Sequence, residues 1–317
     1  MVNIRELTDQ SAKIRVENMD LSIKIGTKTL PNPVGVASGT FGYGSEYENL
    51  IDLSRLGAIY TKAVTLAPRE GNEIPRIVET PSGILNSIGL ANVGVERFLA
   101  EKLPALANYH CAIIANVAGS TEKEYAAVVE RLECAPQVWG YEINVSCPNV
   151  KHGGLAFGTD PAQIKRLTKN LRALTCKPLI VKLTPNVTDI SVIAKAAEAG
   201  GADAVSCINT LIGMVIDTKT RQPVLPLGTG GLSGPAIRPI GVAMVHKVSR
   251  AIKIPVIGIG GIMCADDALQ YLIAGASAVQ VGTGTFVDPA IPIKVLEGIE
   301  EYFKKEEIGS IKDLHAK

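Results

Sequence analysis

The chemistry-bearing residues fall into four groups. Cys147 stands in Asn144-Val-Ser-Cys147-Pro148-Asn149, the one polar, loop-like setting among the six cysteines. A thiol there can act as a general base if its loop brings it to a substrate, and the plain alternative is a loop cysteine without a role. Lys62 (Tyr-Thr-Lys-Ala-Val-Thr) and Lys182 (Ile-Val-Lys-Leu-Thr) interrupt apolar runs. A lysine in such a run is costly unless it meets an anion, either a ligand or a buried carboxylate such as Glu142. Asn86, Asn116, Asn144 and Asn209 recur near the ends of such runs or in a long connection. Their amides offer donors and acceptors suited to a flat ligand with C=O and N–H edges, although singly each reads as a turn or cap residue. Finally, Gly258-Ile-Gly260-Gly261 and Gly282-Thr283-Gly284 leave bare backbone amides that suit a phosphate or simply turn tight corners. Met263 occupies the third-glycine position of a dinucleotide fingerprint, so that motif is excluded.

The elements around these groups alternate. Short β-branched runs at 34–37, 59–64, 111–116, 138–145, 179–183, 204–209, 256–260 and 278–281 read as strands. Most are nearly continuous apolar runs, as parallel strands buried on both faces require. Helix-like segments at 46–53, 95–103, 121–132, 161–174, 190–199, 237–251 and 265–274 separate them, and another at 292–305 follows the last strand. Asp160-Pro161 supplies an N-cap before a first-turn proline, and Gly200-Gly201 and Gly275 end helices. Eight strand–helix units predict an α/β fold, one (β/α)₈ TIM barrel domain over 1–317. Long connections at 65–94, 146–160 and 210–236 are insertions after strands 2, 4 and 6, on the face where barrel active sites lie. An N-terminal hairpin at 21–33 is expected to plug the opposite mouth. On this map the two glycine pairs follow strands seven and eight, where barrels commonly bind phosphate.

Composition excludes several classes. Hydrophobic residues are 46% and charged residues 20% of the 317, enough to bury a large core. Lys+Arg (32) nearly cancels Asp+Glu (31) and aromatics are only 4%, so nucleic-acid binding has no support. The first twenty residues mix both charge signs without an apolar run, and no stretch reaches a membrane span, so a soluble, cytoplasmic protein is expected. No C-x-x-C pair or histidine spacing indicates a metal site or an iron–sulfur cluster on this chain.

Taken together, the motifs resemble the dihydroorotate dehydrogenase family. They are Ala-Ser38-Gly, Thr-Lys62-Ala-Val-Thr, Asn86-Ser-Ile-Gly-Leu90, Ala-Asn116-Val, Asn144-Val-Ser-Cys147-Pro-Asn, Lys182-Leu-Thr, Ile208-Asn209-Thr210, Leu-Ser-Gly234-Pro, Gly260-Gly261 and Gly282-Thr283, in family order from about Asn32 to Phe286. The resemblance implies FMN held by Ser38, Lys62, Ala63, Asn116, Asn144, Lys182, Ile208, Gly234, Gly260, Gly261, Gly282 and Thr283. It implies a pyrimidine held by Lys62, Asn86, Ser87, Ile88, Gly89, Leu90, Asn116, Asn144, Asn209 and Thr210. Cys147 would take the C5 proton of dihydroorotate while the C6 hydride goes to the flavin, giving orotate for pyrimidine biosynthesis, and Lys62 would stabilise the reduced ring. Cysteine at the base position resembles the soluble class. Cys-Pro-Asn-Val-Lys-His-Gly-Gly resembles its NAD⁺-linked form, which passes electrons through a second subunit carrying FAD and an iron–sulfur cluster. A homodimer core with that electron-transfer subunit, a heterotetramer, is then expected. Three other readings remain: a uracil reductase like dihydropyrimidine dehydrogenase, which shares the barrel and a Ser-Cys-Pro loop; a flavin-binding subunit without chemistry of its own; and, from fold alone, a flavin-free phosphate-sugar aldolase or isomerase barrel.

Overall fold

The computed structural model describes residues 19–145 and 158–314. Eight parallel strands close a barrel: β1 (Val34–Val36), β2 (Ala58–Tyr60), β3 (Ala112–Val117), β4 (Val138–Asn144), β5 (Leu179–Leu183), β6 (Ala204–Cys207), β7 (Val256–Ile259) and β8 (Ala278–Val281). Each pairs with its sequence neighbours, and β8 closes on β1 through Gln280 opposite Gly35. All eight overlap the apolar runs seen in the sequence; β2 starts one residue before its run and stops at Tyr60, and β3 extends one residue past its run to Val117. Their nearly complete burial explains those runs, because strands wrapped by helices see no water on either face.

Among the described residues, six helices of nine residues or more cover the outside: α1 (Glu122–Glu133), α2 (Pro161–Arg172), α3 (Ile190–Ala199), α4 (Arg238–Ser249), α5 (Ala265–Ile273) and α6 (Ile291–Lys305). Side-chain caps set the starts of α1, α2 and α3. Thr121 accepts from the amide of Glu124, Asp160 from Ala162, and Asp189 from Ser191. Each turns a stripe of apolar residues onto the barrel, such as Tyr125, Val128, Val129 and Leu132 of α1.

Two expected helices differ. Residues 46–53 form only short 3₁₀ turns at Ser45–Tyr47 and Leu53–Arg55. Asp52, whose carboxylate accepts from the Ser54 amide, caps the second turn and separates it from the first. The helix expected at 95–103 is one α-turn, Gly94–Arg97, followed by a π-helical stretch, Phe98–Lys102.

The long connections build a second layer above the carboxyl ends of the strands. Ile77–Thr80 and Gly83–Asn86, between β2 and β3, join Leu211–Gly213 and Gly230–Ser233, between β6 and β7, in one antiparallel sheet. Asn86 stands opposite Gly231 in that sheet. At the other end, the hairpin Ile23–Ile25/Lys28–Leu30 buries Ile23, Ile25 and Leu30. Its Lys28 ammonium donates to the Trp139 carbonyl at 3.0 Å, beside the amino end of β4.

Candidate active site

The carboxyl ends of the strands and the overlying sheet enclose a cavity of about 360 Å³. That is within the size range of small-molecule and cofactor sites. Strand direction explains why the chemistry gathers there. Lys62 follows β2, Asn116 lies near the end of β3, Asn144 ends β4, Lys182 lies near the end of β5, and Ile208-Asn209-Thr210 follow β6. All line the cavity, as do Ser38 and Ala63 after β1 and β2. Ladder register brings Asn144 opposite Lys182, and Lys182 opposite Ser206.

Polar side chains are locked to one another. The Lys182 ammonium donates to Ser38 Oγ at 3.1 Å and meets the Glu142 carboxylate at 3.5 Å. Asn116 Nδ2 donates to Glu142 at 2.6 Å, while Asn116 Oδ1 is buried without an acceptor's partner among the described residues. Asn209 Nδ2 donates to Asn144 Oδ1 at 3.4 Å, and its own Oδ1 accepts from the Thr210 amide at 2.8 Å. Burial lowers the pKa of Lys62 from its ordinary value; Glu46 opposes that and Arg76 adds to it. A lysine so placed gains from an incoming anion.

The glycine loops after β7 and β8 bound another side of the cavity through Gly260, Gly261, Gly282 and Thr283, with Gly234 next to them. Among the described residues, nothing accepts from the backbone N–H groups of Gly260, Gly261, Gly282 or Thr283. Gly261 has φ +65°, and a Cβ there would meet the Gly234 carbonyl oxygen at 2.6 Å, so only glycine fits. The Tyr271 hydroxyl donates to the Gly260 carbonyl at 2.7 Å and pins the loop from behind. These free, fixed amides form a cradle suited to an anion.

The overlying sheet contributes Asn86, and the segment that follows its strand contributes Ile88, Gly89 and Leu90. Asn86 Nδ2 donates to the Gly231 carbonyl at 3.0 Å. Leu90 takes a left-handed φ of +57°, which costs a non-glycine residue about 1 kcal/mol or more and suits a functional loop. Ser87 is the one expected site residue among those described that does not line the cavity. It is buried on the far side of the strand end, where Asn72 Nδ2 donates to its hydroxyl at 3.0 Å. Period-two alternation accounts for this, since Asn86 and Ile88 face one way and Ser87 the other. Cys147 lies outside the described residues.

Several lining residues were given no role from the sequence. Thr40 is adjacent to the Ala-Ser38-Gly motif, and Ser233 lies inside Leu-Ser-Gly234-Pro, where its Oγ accepts from Thr283 Oγ1 at 2.9 Å. Phe286, half exposed at the rim, carries no motif signal. Among the described residues no group of three or more His, Cys, Asp or Glu could hold a metal, and no helix is long and apolar enough to cross a membrane.

Residues 20–303 match the family model described as dihydroorotate dehydrogenase. A protein of Pelobacter propionicus is 53% identical over 295 residues, covering 93% of this chain and 97% of its own length. One from Thermoanaerobacter sp. is 53% identical over 296 residues, covering 93% and 98%. One from Geobacter sulfurreducens is 51% identical over 299 residues, covering 94% and 98%. All three are named dihydroorotate dehydrogenase B (NAD⁺), catalytic subunit. With its barrel, its ring of amides and lysines, and half of its residues shared along almost its whole length, the chain belongs to the dihydroorotate dehydrogenase family.

Proposed function

We propose that the chain oxidises dihydroorotate to orotate on bound FMN, as the catalytic subunit of an NAD⁺-linked cytoplasmic enzyme of pyrimidine biosynthesis. The carrying observation is the convergence of Lys62, Lys182 and the amides of Asn116, Asn144 and Asn209 on one cavity, opposite a cradle of free glycine amides. The residues fit FMN: the glycine amides suit its phosphate, and the orphaned Asn116 Oδ1 suits an N–H edge of its ring system. In this reading Gly260, Gly261, Gly282, Thr283 and Gly234 hold the phosphate end. Ser38, Lys62, Ala63, Asn116, Asn144, Lys182 and Ile208 hold the ring.

FMN, when bound, supplies a two-electron acceptor for the hydride that leaves C6 of dihydroorotate. The chain's own part is binding, orientation and proton removal. Lys62, Asn86, Ser87, Ile88, Gly89, Leu90, Asn116, Asn144, Asn209 and Thr210 form the substrate set, with Ser87 acting through the backbone it anchors rather than from the lining. The Lys62 ammonium offers an opposite charge to the substrate carboxylate or to a reduced ring. Cys147 removes the C5 proton, so the C5–C6 bond becomes double as both hydrogens leave. The 317 residues then work as one FMN-binding unit. Its relatives' names support a partner subunit. We assign FAD and an iron–sulfur cluster to that partner, in a heterotetramer built on a dimer of this chain.

Anaerobic mixing with dihydroorotate should bleach the flavin absorbance of the purified protein. Uracil-driven reoxidation without dihydroorotate-driven bleaching would instead identify a uracil reductase, and no bleaching with any dihydropyrimidine would leave only a flavin-binding subunit. Cys147→Ala should keep bound FMN and slow its reduction by at least about a hundredfold, the lower range for loss of a general base. An ordinary thiol titrates near ~8.5, so the parent's reduction rate should climb with pH toward that value. Near-parent reduction by Cys147→Ala would remove the base assignment.

A further inference from the structure

Directly beneath the cavity floor lies a carboxylate that does not line that cavity and that the proposed chemistry does not use. Glu142 is fully buried on β4 and shares its strand face with Asn144, two residues on. Four strands send donors to its carboxylate. Asn116 Nδ2 of β3 lies at 2.6 Å, Ser206 Oγ of β6 at 2.7 Å, Gln280 Nε2 of β8 at 2.9 Å and Lys182 Nζ of β5 at 3.5 Å. An ionised carboxylate has about four acceptor positions, and these donors fill them. A buried charge without water is tolerable only when paired, and Lys182 is the cation in the set.

Two of these partners, Asn116 and Lys182, also line the cavity, so the carboxylate fixes what the cavity presents. Because the Asn116 amide nitrogen is committed to Glu142, its oxygen is left as a buried acceptor without a donor among the described residues, as is Gln280 Oε1. A negative charge 3.5 Å from the Lys182 ammonium also offsets part of that lysine's field at the cavity. We propose that Glu142 is a positioning residue of the flavin site, which orients Asn116 and Lys182 and holds the flavin's reduction potential below the value the lysine alone would set. This deepens the FMN reading and rests on it.

Glu142→Gln is nearly isosteric and removes the charge. Equilibrated anaerobically against a redox dye, the FMN-bound variant should favour reduced over oxidised flavin by roughly tenfold more than the parent, a midpoint ~30 mV higher for a two-electron couple. FMN binding, followed by quenching of flavin fluorescence, should weaken by about tenfold as Asn116 loses its fixed orientation. Glu142→Asp keeps the charge but retracts it, so its midpoint should return toward the parent's while its FMN affinity stays weakened. A carboxylate with only a structural role would lower thermal stability in both variants and leave the midpoint in place. An unmoved midpoint in FMN-bound Glu142→Gln overturns the proposal. Should that variant not fold, Glu142→Asp decides alone, because parent-like FMN affinity there also overturns it. A parent protein that binds no FMN removes the flavin reading and this inference together, whereas bound FMN with an unmoved midpoint removes only this inference.

Discussion

Lys62 shows at a single residue how function and stability pull apart. Burial lowers its pKa from the ordinary 10.5, with Glu46 raising it and Arg76 lowering it further. Between the folded value and 10.5 the unfolded chain therefore holds more proton than the folded one, so stability rises with pH through that window. Below the window the full cost of charging a half-buried lysine is present. Lys62→Met should accordingly raise the melting temperature of the FMN-free protein at neutral pH, and the gain should shrink as pH climbs toward 10.5. The same variant should weaken dihydroorotate or orotate binding on the order of a hundredfold, because a charge-assisted contact to the carboxylate is lost. Melting curves across pH and equilibrium binding of orotate check the two halves. A variant less stable than the parent at neutral pH would show that Lys62 is satisfied by the fold rather than held for a ligand.

Among elements, the loops after β7 and β8 separate space for the chain from space for a ligand. A Cβ at Gly282 would meet nothing closer than Ala37 Cβ at 3.4 Å, so the fold itself tolerates alanine there. Gly282 nonetheless lines the cavity beside Thr283. Gly282→Ala should melt within about a degree of the parent without FMN, yet bind FMN about tenfold or more weakly, as titration by fluorescence would show. Equal FMN affinity would move the phosphate elsewhere. These loops and the eight barrel strands were legible in the sequence because local signals specify them: continuous apolar runs for strands inside two layers, and paired glycines at strand ends. Other features depend on partners far along the chain. The sheet that roofs the cavity joins Gly83–Asn86 to Gly230–Ser233, a pairing no local pattern encodes. The side on which Ser87 faces follows from that register. Glu142 could be named from sequence as a partner for a buried lysine, but its link to Asn116, Ser206 and Gln280 exists only once the barrel has closed.

Across the whole molecule, the barrel divides its work between its two ends. The carboxyl end carries the cavity, while the amino end is closed by interactions that hold the chain together and touch no cavity residue. There Arg172, after α2 has crossed the outside, pairs with Asp203 at 2.7 Å, and the same carboxylate oxygen accepts from the Leu179 amide at 2.9 Å. The bend of the N-terminal hairpin sits against this carboxylate, since a Cβ at Gly26 would lie 2.8 Å from Asp203. One residue thus joins the starts of β5 and β6, the end of α2 and the hairpin. Asp203→Ala removes a partly buried acceptor and leaves Arg172 with only the Thr175 and Lys177 carbonyls. The loss should cost about 2 kcal/mol, typical for hydrogen bonds to a charged group, and lower the melting temperature by several degrees. The FMN midpoint and FMN affinity should stay at their parent values, because the perturbed contacts lie across the barrel from the lysines and amides that set them. Melting curves and a dye-equilibrated redox titration on the same preparation test the division of labour. A midpoint that moves along with the melting temperature would mean that the two ends of the barrel are coupled, and that the stability of the amino end is part of how the cavity is tuned.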